Sequence, residues 1–552
     1  MDRLADVKIS LALGDFTVDS ILESIIENGG RLLQMIASTS AREEGDHPEL
    51  PFAAMVNDLN IGVVYTSLER LWLDVVWNDF RMSGDETQPV FASSEVQREK
   101  QRAESWFRHV MTTVQAEVIP YVRALATGSG AIFPDVQATI TDGRFTLTTV
   151  PGTNDSHAWR TQLEISTLPV YYQAVVNRPG PKYQRLTLLA VAQGYALLKS
   201  IAQGASHHAA ETLTRGQQDP SAKVTEGDFA PVVARDHLRT VLSATLAIAS
   251  DVAEEMISFF TGAGQDVTRG LDHWMAPLVA LSKTTLTIFP QAVLHANLRR
   301  LPDLWLRHLG FDLDIRGLPF EAHVRDALQK ASRDSSLSAL THVLASEFVL
   351  RPDGSREEEI DLVVVLGDRL VIGEAKCFLQ PSTPVDQHNH WDKLCEAVAQ
   401  VARKAKAVRD FDGAFRAGAQ RYGLTLPETM EVLPLVVLNH AIDVGHLIEG
   451  VPVVDLRILE MFFEGALPRN AMLSPTGEVE SAHLDFFYRS AGEAPAVLAG
   501  YLNDPPQLRH LHGTVASTEE NIVLPTTASG FARVRRYEVS TDRIKIPTAM
   551  RP

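Results

Sequence analysis

Residues 359–377 read EIDLVVVLGDRLVIGEAKC, and their pattern decides the fold. Two apolar runs, Leu362–Leu366 and Leu370–Ile372, flank Gly367-Asp368. A Gly-X pair between such runs predicts a two-residue hairpin turn. Leu366 then faces Arg369, and counting outward brings Asp361 opposite Glu374, with Cβ atoms about 4.5–5.5 Å apart. Side chains alternate between faces, so Lys376 shares the face of Glu374. Val363, Val365, Leu370 and Ile372 fill the rest of that face, and the opposite face is equally apolar. A hairpin apolar on both sides belongs inside a domain.

The sequence therefore places two acids and a lysine together at the edge of a buried sheet. Like charges opposite one another destabilise a strand pair, and partial burial raises the cost. Three arrangements relieve it: one acid is protonated, Lys376 neutralises them, or a divalent cation lies between them. Hard carboxylate oxygens suit Mg²⁺, which takes one or two carboxylates plus waters and phosphate oxygens. A lysine beside such a cation orients or activates a water for attack on phosphorus. The plain alternative is a salt bridge from Lys376 to Asp361 or Glu374 at the surface end of the hairpin.

At 552 residues the chain is long enough for about three to four domains. With 45% hydrophobic and 22% charged residues, wholesale disorder and rod-like repeats are excluded. A net charge of −18 argues against coating nucleic acid by bulk charge, though not against a local basic groove. Two cysteines, Cys377 and Cys395, are too few for a disulfide framework and fit a reducing cytosol. The opening MDRLADVKISLALGDF has acids beside its short apolar run, so no signal peptide is expected. The most apolar stretch, Leu186 to Ala202, is interrupted by Gln193 and Lys199 and reads as a buried helix. No membrane span and a cytoplasmic location are the expectations.

Apolar residues near helical spacing predict helices over Val56–Met82, Ser94–Ala126, Arg185–Ala205 and Arg235–Gly262. A strand pair is predicted at Val136–Ile140 and Phe145–Val150, around Thr141-Asp142-Gly143-Arg144. Gly128–Gly130, Pro151–Asn154 and Gly216–Asp228 read as loops, with His207–Ala222 polar throughout. None of this names a chemistry.

The pattern changes near Gly310. A helix is predicted over Phe320–Ala331, a strand over Ala345–Arg351, and a turn at Pro352-Asp353-Gly354-Ser355. After the hairpin come a loop over Leu379–His390 and a helix from Trp391 to Arg409. Buried strands at Leu433–Asn439 and Val451–Asp455 and a short helix at Leu456–Gly465 follow. Weak strands are predicted at Tyr537–Val539 and Ile544–Ile546. The expected fold class is multidomain α+β. A mostly helical region (1–225) and a helical connector (226–310) precede an α/β domain with a central mixed sheet (311–465). A small extension with a basic end (466–552) completes the chain.

Ile360-Asp361, a turn, then Glu374-Ala375-Lys376 at the end of the next apolar strand resembles the PD-(D/E)XK, or restriction-endonuclease-like, superfamily. The family core opens with a helix that often carries an acid, and Phe320-Glu321-Ala322-His323-Val324 looks like it. The later elements follow in the family's order, over roughly 311–465. The resemblance implies that Asp361 and Glu374 bind Mg²⁺ (or Mn²⁺), with the Ala375 carbonyl as a further ligand. It implies that Lys376 positions the attacking water and that Glu321 completes the acid set. Gln400 resembles a glutamine that some branches carry on the next helix. Those branches usually have Tyr four residues later, where this chain has Lys404.

Arg403, Lys406 and Arg409 share one helical face, and with Gln400 and Lys404 they form a candidate phosphate-contacting set. A solvated helix face is the competing reading. A second basic cluster, Arg533, Arg535, Arg536, Arg543, Lys545 and Arg551, is a further candidate for backbone contact. Cys377, His388, His390 and Cys395 are four residues able to bind zinc, but not at the spacing of a common zinc module. His388, His390 and Trp391 would border the site from the preceding loop. The pair His207-His208 reads as surface. No Gly-x4-Gly-Lys-Ser/Thr loop and no Gly-x-Ser-x-Gly elbow is present.

The resulting expectation is a metal-dependent nuclease, with DNA favoured over RNA because the resembled superfamily mostly acts on DNA. It would serve bacterial defence, restriction or repair, with the N-terminal region binding a partner protein and a homodimer as the implied assembly. The alternatives are a catalytically inactive nuclease-like module that binds nucleic acid or protein, and a helical interaction protein whose acids form only a salt bridge.

Overall fold

A computed structural model describes residues 8–11, 14–17, 52–84, 89–110, 134–152, 170–219, 225–228, 230–262, 272–351, 356–468, 471–473, 479–481, 484–523 and 530–540. The architecture is mixed α/β, with helices packed on mixed and antiparallel sheets. Its central element is a six-stranded sheet: β1 (Thr341–Val343), β2 (Leu362–Leu366), β3 (Arg369–Lys376), β4 (Glu431–Leu438), β5 (Leu447–Ile448) and β6 (Val451–Asp455). The spatial order is β1-β2-β3-β4-β6-β5. β3, β4 and β6 run parallel, while β1, β2 and β5 are antiparallel to their neighbours.

The hairpin has the register its turn demands. Leu366 pairs with Arg369, and the ladder runs to Leu362 opposite Gly373. Every residue of β2 and all but the two ends of β3 are buried. Gly367 sits at φ 58°, the left-handed region that the first position of this turn requires. A Cβ there would also come within 2.7 Å of Pro495 Cγ.

Helix α1 (Gly317–Asp334) contains the expected Phe320–Ala331 and packs against β3 and against α3 (Leu456–Glu464). Helix α2 (Pro384–Asp410) covers β3 and β4 from the face that carries Glu374. It starts seven residues before the expected Trp391, because Thr383 and Asp386 form a capping box and Pro384 takes the first turn. The loop expected over Leu379–His390 is therefore helix from Pro384 onward. The strand expected at Ala345–Arg351 is present as Phe348–Leu350, paired with Glu358–Ile360, and the turn between them lies outside the described residues.

In the N-terminal half the predicted hairpin forms over Asp135–Thr141 and Arg144–Val150. The helix over Leu188–Gln218 runs through His207-His208, where a polar loop was expected. The single helix expected over Arg235–Gly262 is two, Arg235–Leu246 and Ser250–Phe260, broken where Ala247 adopts φ 53°. The helix expected to reach Met82 ends at Trp77, and Phe80–Ser83 forms a strand. Helix is present over 96–110, while the rest of the expected Ser94–Ala126 helix and the Gly128–Gly130 loop fall outside the described residues.

One buried core runs from Val136 to Leu508, across the expected boundaries at 310 and 465. The C-terminal segment closes back on the start of the chain. Phe531–Val539 pairs with Val515–Val523 and, in parallel, with Val90–Ser93. Arg536, expected as part of a free basic end, instead binds buried Asp74 at 2.7 Å. Arg533 and Arg535 lie near Glu519, and Arg543, Lys545 and Arg551 are outside the described residues. Among the described residues no helix is long and apolar enough to cross a membrane.

Gly367→Val tests the hairpin. Positive φ and the Pro495 contact together should cost about 1–3 kcal/mol. Urea denaturation reads the loss, and an unchanged midpoint would mean the turn tolerates a side chain.

Candidate active site

Asp361 occupies the bend between Glu358–Ile360 and β2, one residue beyond the last ladder pair. Glu374 follows Gly373 on β3, so both acids lie just past the last ladder pair, at the same end of the hairpin. Both are buried, Asp361 8% exposed and Glu374 2%. Burial of this kind is tolerated only where each carboxylate finds donors.

All four carboxylate oxygens have one. Asp361 Oδ2 accepts from the Ala375 backbone N–H at 3.0 Å. Glu374 Oε1 lies 2.6 Å from Lys376 Nζ. Lys404, from α2, reaches between the acids: its Nζ is 3.4 Å from Asp361 Oδ1 and donates to Glu374 Oε2 in a short contact. Arg325 of α1 fixes the same bend by donating to the Asp361 carbonyl at 2.8 Å. Two carboxylates thus meet two ammonium groups.

Lys404 was expected to face nucleic acid phosphate, and its position corrects that: it is 7% exposed and bound to the acid pair. The cause is its place on α2. Leu394, Ala397, Val398, Val401, Ala405 and Val408 form the buried stripe, and position 404 falls within it. A lysine interrupting an apolar stripe was the available sequence signal. Arg403, Lys406 and Arg409 do point outward, each with a partner in the chain. Arg403 grips Glu358 with two hydrogen bonds of 2.9 and 3.2 Å. Lys406 pairs with Asp410, and Arg409 donates to the Val432 carbonyl at 2.7 Å. Gln400 lies one turn before Lys404 and is half-buried.

Charge and burial act on each group in an identifiable direction. Burial and then Glu374 push the Asp361 pKa up, against the pull of Lys404 and the Ala375 amide. Burial opposes the charge on Lys376, but Glu374, Asp361 and Glu321 outweigh it and raise its pKa. Glu321 stands half-buried on α1, its carboxyl pushed up to about 7 by burial first and by the Asp361 charge second. A third acid therefore feels the pair.

The strand end that bears these groups is tied from three sides. Arg316, buried against Asp303 at 2.5 Å, reaches the Cys377 carbonyl at 3.5 Å. Tyr172 donates to the same Asp303 at 2.5 Å. Asn439, just past β4, exchanges hydrogen bonds of 2.9 and 3.0 Å with the Phe378 backbone. None of Arg316, Asp303 or Asn439 was singled out from sequence, since only packing brings them to β3.

The residues expected to border the site from a loop sit on α2 instead. His388 lies 3.3 Å from Asp392, Trp391 lies under Arg98, and His390 is 3.2 Å from Asp443. His390, His440 and His109 stack near one another, with ring centroids 5.1 Å apart for the first two and 6.2 Å for the last two. Burial holds His440 and His109 neutral, His109 at about 4. Among the described residues no group of three or more His, Cys, Asp or Glu side chains is placed to hold a metal ion. The zinc reading of Cys377, His388, His390 and Cys395 finds no support there.

The acid pair itself fits a divalent cation in donor chemistry. Its carboxylate oxygens converge on one positive centre, the Lys404 ammonium. Mg²⁺ is commonly held by one or two carboxylates, with waters and substrate phosphate completing its shell. The chain matches no protein-family model, no curated protein and no solved structure.

Two measurements test these electrostatics. Lys404→Ala leaves the buried acid pair with Lys376 as its one ammonium and Asp361 without a cation, so it should lower stability in chelator by about 3–5 kcal/mol in chemical denaturation. A loss below about 0.5 kcal/mol would show the pair to be solvated. His109 ordinarily titrates at 6.5 and here at about 4, so between those values the unfolded chain binds the extra proton. Its contribution to stability is full above pH 6.5 and is lost as pH falls toward 4. His109→Gln should flatten that part of the pH–stability curve; an unchanged slope would assign the acid sensitivity elsewhere.

Proposed function

We propose that the chain is a metal-dependent nuclease that hydrolyses phosphodiester bonds, with a restriction-endonuclease-like core over roughly 311–465. The observation that carries this reading is the convergence of Asp361, Glu374 and Lys376 at one end of the central sheet. Supporting it is the element order around that end: α1 with its acid, the β2–β3 hairpin, α2, then β4 parallel to β3.

Asp361 and Glu374 are the residues that would hold Mg²⁺ or Mn²⁺, with the Ala375 carbonyl as a third ligand. The cation supplies Lewis-acid stabilisation of charge on phosphate oxygens. Lys376, half-buried and hydrogen-bonded to Glu374, orients a water toward phosphorus. Glu321, with its raised pKa, is suited to exchange a proton near neutrality. DNA is the favoured substrate, and the cytoplasm the favoured location. The residues before α1, helices with a five-stranded sheet, suit a partner-binding or sensing role in defence, restriction or repair.

A second reading is favoured by one observation. The charges of the acid pair are already balanced within the chain by Lys376 and Lys404, which an inactive nuclease-like binding module would also need. Cleavage of plasmid, linear and single-stranded DNA and of RNA in Mg²⁺, Mn²⁺ or chelator separates the two. The expected result is metal-dependent cutting, lowered by at least about a hundredfold in Glu374→Ala and Lys376→Ala. A folded protein that binds nucleic acid but cuts nothing with either metal would favour the binding module.

A further inference from the structure

We propose that Lys404 is a resident cation of the acid pair, filling the place of the divalent ion and leaving it when metal binds. This rests on the nuclease reading and gives its site a built-in competitor. The geometry is direct. The ammonium contacts one oxygen of each carboxylate, and the other two oxygens are taken by the Ala375 N–H and Lys376.

Charge then decides what metal entry must do. Asp361 and Glu374 carry two negative charges, and Lys376 and Lys404 carry two positive ones. A divalent cation added to that set would leave positive charge in excess among groups that are mostly buried, even with Glu321 ionised beside them. Like charges at contact distance repel strongly where water is largely excluded. Withdrawal of Lys404 removes the larger part, because Lys404 alone touches both acids. Lys376 keeps its single contact and needs no displacement.

The device has a chemical purpose. Without metal, Lys404 keeps two buried carboxylates together at the end of an apolar strand pair. With metal, the same lysine is released near the site, on the helix that also carries Gln400 and Arg403. A phosphodiester backbone offers the negative charge that a released ammonium needs. Metal binding and nucleic acid binding would then favour one another.

The test is Mn²⁺ binding to the full chain without nucleic acid, read by the paramagnetic resonance of the free ion. Wild type is compared with Lys404→Gln, Lys404→Met and Glu374→Gln. Both Lys404 variants should bind Mn²⁺ at least about tenfold more tightly than wild type. Adding Glu374→Gln to Lys404→Gln should abolish that gain. Because removal of Lys404 destabilises the metal-free protein, the unfolding midpoint of each variant is also followed with and without Mn²⁺. Mn²⁺ should raise the midpoint of Lys404→Gln more than that of wild type. Equal binding by wild type and both Lys404 variants, lost in Glu374→Gln, would overturn the competition and leave the metal site standing. Absence of Mn²⁺ binding in every folded variant would overturn the metal-dependent reading itself.

Discussion

Two carboxylates buried together at the end of a strand pair are the constraint around which this fold is arranged. Neither can be left alone: a buried charge without a partner costs several kcal/mol, and like charges repel most strongly where water is excluded. The hairpin supplies one lysine from its own strand and one backbone amide. Its other cation, Arg369, lies at the turn and pairs with Glu431. The second cation at the acids comes from α2, and the helix therefore has to lie across β3 and β4 at a fixed rotation. Arg403, one residue before Lys404, completes the attachment by gripping Glu358 just ahead of the acid-bearing bend.

The remaining elements can be understood as support for that strand end. Arg316 joins the N-terminal half, where a five-stranded sheet accompanies the helices in place of the mostly helical region expected, to the Cys377 carbonyl through Asp303 and Tyr172, all three side chains deeply buried. Asn439 fixes the neighbouring backbone from the β4 side. Next to it, His440 and His109 are held neutral by burial, so they contribute packing and polar contact without adding charge. The C-terminal segment contributes twice. Pro495 and Arg369 seal the hairpin turn, and Phe531–Val539 joins a sheet with Val90–Ser93 from near the start of the chain.

This arrangement bears on how a buried acid pair can serve chemistry. A site that requires an external cation to be stable would be loose without it. Here the chain carries its own substitute, and the acids stay preorganised with one oxygen of each aimed at the Lys404 ammonium. Preorganisation of that kind is what electrostatic catalysis uses, because reorientation costs are met during folding. The same internal charges would equally suit a binding module, and the difference lies in whether Lys404 can be displaced.

Sequence alone determined the hairpin and its register as far as Leu362 opposite Gly373, which brings Asp361 and Glu374 to the same end of it. Those follow from short-range rules: a Gly-X turn, side-chain alternation, and apolar runs too long to face water. The same local rules located α1, β4, β6 and the hairpin at 135–150. A capping box at Thr383–Asp386 was also legible, and missing it is what turned the start of α2 into an expected loop. Tertiary structure alone decided which charges meet. Lys404 lies 30 residues from Glu374 and 43 from Asp361, and Arg316 lies 61 from Cys377. No spacing rule connects residues so far apart. Helical periodicity separated an outward face from an inward one, but a lysine on the inward face has no predictable partner until the helix is docked. Burial then selects the partner, since an ammonium in the core is stable only against the carboxylates that the hairpin had already placed there.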